Sequence, residues 1–390
     1  MGKVNPPRSF GVEEELLLVD AVSRRPAALG EVITAAAGPS ATRHRLTAEL
    51  KQDQLEVVVP PQTSFQAQLD AIRTGRALAD QAAAAHGARV VALSTSPWPG
   101  ASGVVPGARN ERIRHGFGIT AVEQLTCGFH VHVGVDSAEQ GVAVLDRLRG
   151  WLPVVLALST NSPFWQGRDS GFASYRYQVW SRWPTAGPTG IFGSAAAYHR
   201  RRDELLGTGV PLDDGMLYYD ARLSVRYPTV EIRVADVCLV AEHAAAIATL
   251  VRALVEASAR QTADGVRPAE LSSALLRAWS WRASRYGLTE ALVDPATGVL
   301  APAVDVVARL LDFVADALVE DEREPVREVV DDILRRGTGA ERQRSLRPQT
   351  GGLSEAEVVG IVEFALRTTH HEVDGPVEAP VTGTRDLLPP

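Results

Sequence analysis

The chain has 390 residues, 45% hydrophobic and 22% charged, the composition of one large enzyme domain or two to three smaller globular ones. A net charge of −7, with no block of Lys or Arg, argues against a general nucleic-acid binder. Two cysteines, Cys127 and Cys238, are too few for a disulfide framework and fit a reducing cytoplasm.

Residues 1–9 hold no apolar core for a signal peptide. Residues 10–19, FGVEEELLLV, read as a strand. Alternation puts Phe10, Val12, Glu14, Leu16 and Leu18 on one face and Gly11, Glu13, Glu15, Leu17 and Val19 on the other. Glu13 and Glu15 then stand roughly 6–7 Å apart. Half-burying two adjacent carboxylates is costly unless a cation lies between them. A hard divalent cation fits, and so does a solvated acidic edge strand.

Residues 20–26 form a turn, and the stretch to Gly38 has no clear pattern. Residues 46–60 carry Glu49 and Glu56. The β-branched run Leu55–Val59 ends at Pro60-Pro61 and reads as a strand, with Glu56 on the face opposite Leu55, Val57 and Val59. Ser64 caps a helix to His86, and Gly87 ends it. Arg89–Ser94 is a short buried strand. Arg109, Arg112 and Arg114 follow a Gly/Pro loop and read as a solvated helix face before a phosphate site.

Gly128–Val135 is a second distinctive strand, with Phe129, Val131, Val133 and Val135 on one face and His130 and His132 on the other. Two histidines two apart on a strand share a metal or flank an anion. A helix runs from Ser137 to Thr160 with Leu145, Leu148, Leu152 and Leu156 inward. Its most apolar run, Trp151–Leu158, is too short to span a bilayer and contains Pro153, so no membrane partner is expected. Residues 161–194 are irregular and rich in aromatics and Arg, the style of a binding loop. Residues 195–206 are helical. Leu217–Arg226 is a strand with Asp220 and Arg222 on one face, and Thr229–Val234 is another with Glu231 and Arg233 on its polar face. Helices follow over 241–260, 268–285, 301–320, 324–336 and 354–369. The Pro-rich tail, 372–390, is expected to be disordered.

These strands share one grammar, an apolar face and a polar one, which suits an antiparallel or mixed sheet covered by helices on one side. As neighbours, their polar faces would gather glutamates and histidines on one surface. Oxygen-rich ligation of that kind favours Mg²⁺ or Mn²⁺ over zinc, and a Mg²⁺ site of several carboxylates commonly holds nucleotide phosphates. Neither a P-loop nor a dinucleotide fingerprint is present.

Four ordered motifs, Phe10–Glu15, Cys127–Val135, Trp180–Pro184 and Tyr227–Arg233, resemble the bacterial carboxylate-amine ligases, the glutamate–cysteine ligase type 2 branch of the glutamine synthetase and γ-glutamylcysteine synthetase superfamily. The resemblance implies an α+β, glutamine synthetase-like antiparallel sheet with helices on one face and the active site on the other. It implies one catalytic domain over 1–371, sheet-rich over 9–235 and helical over 241–371. It also implies metal ligation by Glu13, Glu15, Glu49, Glu56, His130 and Glu231, and a catalytic, phosphate-contacting Arg233. Arg176, Arg222 and His132 fall in family-like segments as candidate substrate contacts, Arg176 as an anchor for a substrate carboxylate. The implied reaction uses Mg-ATP to join an acid, L-glutamate in the family name, to an amine, L-cysteine, through an acyl phosphate. A cytoplasmic homo-oligomer, most simply a dimer, is implied as well. The rival readings are a metal-dependent hydrolase, a guanidino kinase-like phosphotransferase and a non-catalytic binding protein. The hydrolase has little use for Arg233 beside Glu231.

Overall fold

The computed structural model describes residues 6–38, 40–347 and 351–371, and the expected tail, 372–390, lies outside them. Its centre is a seven-stranded sheet of β1 (Phe10–Asp20), β2 (Arg45–Ala48), β3 (Gln54–Val58), β4 (Ala88–Val91), β5 (Gly128–Gly134), β6 (Ala221–Leu223) and β7 (Thr229–Asp236). The order across it is β2-β3-β1-β5-β7-β6, with β4 pairing to the second half of β1. Every pairing is antiparallel.

The alternation read from β1 holds. Phe10, Val12, Leu16 and Leu18 are buried in the core, and Glu14 is buried with them. Helices Phe65–Ala84, Ala138–Leu148, Leu152–Ser159 and Ala241–Ala263 pack against that face. The last is rich in Ala, Leu and Val and buried around most of its circumference, as a central core helix must be. Ser64 caps the first of these, its hydroxyl accepting from the Ala67 N–H. Among the described residues, no helix is long and apolar enough to cross a membrane.

Several expected elements differ. The helix expected over 137–160 is two helices joined by a 3₁₀ turn at Arg149–Trp151. Pro153, which lacks an N–H, is accommodated in the first turn of the second piece. Its four inward leucines are buried nonetheless. The strand expected over 217–226 shrinks to β6, because 214–216 forms a 3₁₀ turn and 224–228 makes the connection to β7. The segment 161–194 is not wholly irregular. It contains a hairpin of Phe164–Trp165 with Arg168–Asp169, and a helix, Tyr175–Trp180, whose N-terminal N–H of Tyr177 is capped by Ser174. The helix Gly30–Ala36 and β2 arise where no pattern was legible.

Candidate active site

The register of the sheet makes the polar residues cross-strand neighbours. Glu13 stands opposite His130, Glu15 opposite Glu56, and Glu231 opposite both His132 and Arg222. Directly opposed residues approach closely enough for their side chains to touch. All of them line one cavity of about 770 Å³ on the face of β1 away from the helix Ala241–Ala263. Glu49, just after β2, lines it too.

Glu13 lies at the centre. Its Oε2 is 3.4 Å from His130 Nδ1 and its Oε1 is 3.4 Å from His132 Nε2. Burial pushes its carboxyl up, but contacts with the two histidines outweigh this and hold it far below the usual range. Glu15 accepts from the Gly128 N–H (2.6 Å), and Glu56 accepts from the Thr47 hydroxyl (2.6 Å). Burial and the nearby Glu13 push Glu56 up to about 7, and burial with Glu56 and Glu15 pushes Glu49 well up. Crowding of these carboxylates therefore resists their full ionisation.

A divalent cation fits these residues. Ligand atoms of Glu13, Glu56 and His130 lie within 4.8 Å of one another, as do those of Glu13, His132 and Glu231, and of Glu15, Glu49 and Glu56. The buried Nε2 atoms of His130 and His132 make no well-formed hydrogen bond, having only carboxylate oxygens of Glu15 at 3.8 Å and Glu13 at 3.4 Å, and a metal would satisfy them better. Burial, then Arg233, lowers the pKa of His130, which keeps it in the neutral form a ligand requires. His132 is raised, because Glu13 and Glu231 outweigh its burial. Its Nδ1 is 3.0 Å from the Thr229 hydroxyl.

The six candidate metal residues, together with His132, Arg222 and Arg233, thus meet in one place. Arg222 pairs with Glu231 through two contacts of 2.8 and 3.2 Å and also donates to the carbonyls of Gly215 and Leu217. Arg233 pairs with the same carboxylate. Burial pushes Glu231 up, but the two guanidiniums hold it well down.

Arg176 is placed elsewhere. It is fully buried, donates to the carbonyls of Val234 and Arg233 (both 3.2 Å), and lies 3.8 Å from Asp236. It does not line the cavity, so the geometry offers it backbone carbonyls in place of a substrate carboxylate. Asp220, expected beside Arg222, instead accepts from the Tyr177 hydroxyl (2.9 Å).

Other cavity residues were given no site role by sequence reasoning. Arg45, Arg109, Trp180, Trp183, Tyr218 and Tyr227 come from five separate segments. The arginine cluster read as a solvated face is exposed at Arg109, Arg112 and Arg114, and of the three Arg109 also lines the cavity rim and pairs with Asp213 (2.7 Å). Trp180 and Trp183 carried a usable signal, the aromatic–Arg loop itself. Cys127 is a buried packing residue. The Gln54 amide donates to its sulfur (3.4 Å), and burial pushes its thiol well up.

Comparison with known proteins gives a consistent picture. A family model described as glutamate-cysteine ligase family 2 matches residues 9–361. A protein of Paenarthrobacter aurescens named "Putative glutamate--cysteine ligase 2-1" is 49% identical over 95% of this chain and 97% of its own. One of Streptomyces coelicolor, named "Putative glutamate--cysteine ligase 2", is 49% identical over 89% of this chain and 96% of its own. Among solved structures, glutamate–cysteine ligase from Francisella tularensis in complex with AMP superposes with a TM-score of 0.61 at 14% identity, over 94% of this chain and 89% of the other. A bifunctional glutathione synthetase from Pasteurella multocida superposes with a TM-score of 0.66 at 14% identity, over 93% of this chain. This chain spans 53% of the length of that protein. At such identities the two structures speak for a shared fold.

Proposed function

The chain belongs to glutamate-cysteine ligase family 2, a family of ATP-dependent carbon–nitrogen ligases, and on that premise we propose that its sheet cavity joins a carboxylic acid to an amine through an acyl phosphate. The observation that carries the reading is that Arg233 pairs with Glu231, a member of one potential cation-binding set (Glu13, His132, Glu231) that is linked through Glu13 and then Glu56 to the other two. Carboxylates alone would suit hydrolysis. A guanidinium held against them suits a transferring phosphoryl group.

The residues that would hold Mg²⁺, or Mn²⁺, are Glu13, Glu15, Glu49, Glu56, His130 and Glu231, with His132 beside them. Bound there, the ions would offset the charge of the carboxylates and of the ATP phosphates. Arg233 would stabilise charge developing on the γ-phosphoryl group, and Arg222 would hold Glu231 in place. An oxygen of the acid attacks the γ-phosphorus, and the bond to the ADP oxygen breaks. The amine nitrogen then attacks the acyl carbon, the bond to phosphate oxygen breaks, and a proton leaves the nitrogen. No protein nucleophile is required. The sheet-rich and helical parts, 9–235 and 241–371, are read as one catalytic domain.

L-Glutamate and L-cysteine are the first pair to try, on the names of the relatives. The experiment is ADP and phosphate release from Mg-ATP with acids and amines, singly and paired. The reading requires that full turnover need both. Release driven by water alone, or metal-dependent hydrolysis without ATP, would point to a hydrolase.

A further inference from the structure

Trp180 is the last residue of the helix Tyr175–Trp180, and its side chain lines the cavity. The start of that helix is tied to β7, because the Ser174 hydroxyl donates to Asp236 (2.8 Å). Two guanidinium groups lie over the Trp180 ring, that of Arg233 at 5.6 Å from the centroid and that of Arg176 at 5.9 Å. Tyr218 tilts against the same ring at 4.7 Å. We propose that Trp180 is the positioning residue for Arg233, holding its guanidinium towards the carboxylate cluster while Arg176 fixes the backbone from which Arg233 projects. The kinetic consequence rests on the ligase reading above.

The hydrogen bonds of Arg233 account for only one side of it. Its Nη1 meets Glu231 and lies 3.5 Å from His130 Nδ1, whereas its Nε is buried without a hydrogen-bond partner. Beyond the attraction of Glu231, Glu15 and Glu13, the indole face supplies a further electron-rich surface against the guanidinium. A largely buried guanidinium over tryptophan is favoured more than an exposed one, since less water competes for the cation. Arg176 works from behind. Its two terminal nitrogens grip the carbonyls of Arg233 and Val234, and its Nε too is buried without a partner.

The space for Arg176 is kept by Gly128. A Cβ there would stand 2.3 Å from Arg176 Nη2 and 2.9 Å from His130 Nε2. The glycine that opens the histidine strand thus lets a buried arginine pass beside the candidate metal ligand His130. From there, Arg176 reaches the β7 carbonyls and the indole that also faces Arg233.

The test combines kinetics with a readout that does not depend on activity. Trp180→Ala and Trp180→Phe are made in the natural chain and in Arg233→Gln. Trp180→Ala is expected to lower kcat about tenfold with the KM for ATP and for the acid within about twofold, and Trp180→Phe to recover most of the loss. In Arg233→Gln, Trp180→Ala should cost less than about twofold, since the group it positions is gone. Equal losses in both backgrounds, or a rise in the KM of the acid alone, would overturn the proposal. The ¹⁵N–¹H signal of the Arg233 Nε–H, assigned by its loss in Arg233→Gln, should be shifted by the indole ring current and move in Trp180→Ala. An unmoved signal also overturns it. If the natural chain turns over no ATP, the ligase reading falls, and this signal alone decides the positioning.

Discussion

Glu14 and Arg76 form a closed pair within the helix-covered face of the sheet. Arg76 Nη2 and Nε donate to the two carboxylate oxygens at 2.7 and 3.0 Å, and neither residue is more than 1% exposed. Arg76 also donates to the carbonyls of Leu239 and Cys238, just ahead of the helix Ala241–Ala263. Three consecutive glutamates thus divide between two tasks. Glu13 and Glu15 face the cavity, and Glu14 ties β1 to the helices.

Arg76→Ala should therefore destabilise the fold without touching the cavity. Removing one partner strands a buried carboxylate, which costs about 3–5 kcal/mol. Urea unfolding should show that loss. A variant that unfolds like the natural chain would mean Glu14 is neutralised without Arg76.

Glu13→Gln should have the opposite signature. It removes a candidate metal ligand and relieves repulsion in a crowded cluster, so ADP release should fall below about 1% with stability kept or raised. Mg²⁺ at a hundred times its Kd should stabilise the natural chain by about 2.7 kcal/mol and the variant less. Glu231→Gln should lose turnover as well, and stability besides, because Arg222 and Arg233 would share a buried site with no carboxylate between them. Near-normal ADP release by Glu13→Gln would remove the metal-cluster account.

Arg176→Ala separates two roles for that residue. A substrate anchor would raise the KM of the acid. The observed contacts, to backbone carbonyls and towards Asp236, predict instead a fall in kcat and a stability loss of about 2–4 kcal/mol. A selective rise in the acid KM with unchanged stability would restore the anchoring role.

Asp220 makes the fold sensitive to pH. Burial, against a hydrogen bond from Tyr177, pushes its carboxyl up to about 7. A raised carboxyl favours folding fully only below its unfolded value of about 3.9, and that contribution is lost as pH rises through about 7. Asp220→Asn keeps an acceptor for Tyr177 and removes the charge. It should stabilise the chain by up to about 4 kcal/mol at pH 8 and clearly less at pH 5. An equal gain at both values, by urea unfolding, would show that ionisation of Asp220 is not the cause.

The central sheet was legible because a two-residue period survives burial on one face. Glu13 and Glu15 could be assigned to the face opposite Leu16 from β1 alone, as could His130 and His132 on β5. Identifying the metal residues also needed the family resemblance, since an acidic strand has a solvated explanation. What stayed hidden depends on distant segments. Nothing near Glu14 in the sequence announces Arg76, 62 residues away. Nothing near Arg176 shows that its partners are carbonyls of β7. The break at Arg149–Trp151 was masked because its leucines kept their helical spacing on both sides. Only the folded chain brings Arg45, Arg109 and Trp180 around a single cavity.

The most direct test of the ligase mechanism follows oxygen. The acid is supplied with ¹⁸O in its carboxylate, together with Mg-ATP and the amine, and the released phosphate is weighed by mass spectrometry. Ligation through an acyl phosphate predicts one ¹⁸O in phosphate for each amide formed. Amide formation with unlabelled phosphate, or phosphate whose new oxygen comes only from water, would contradict it.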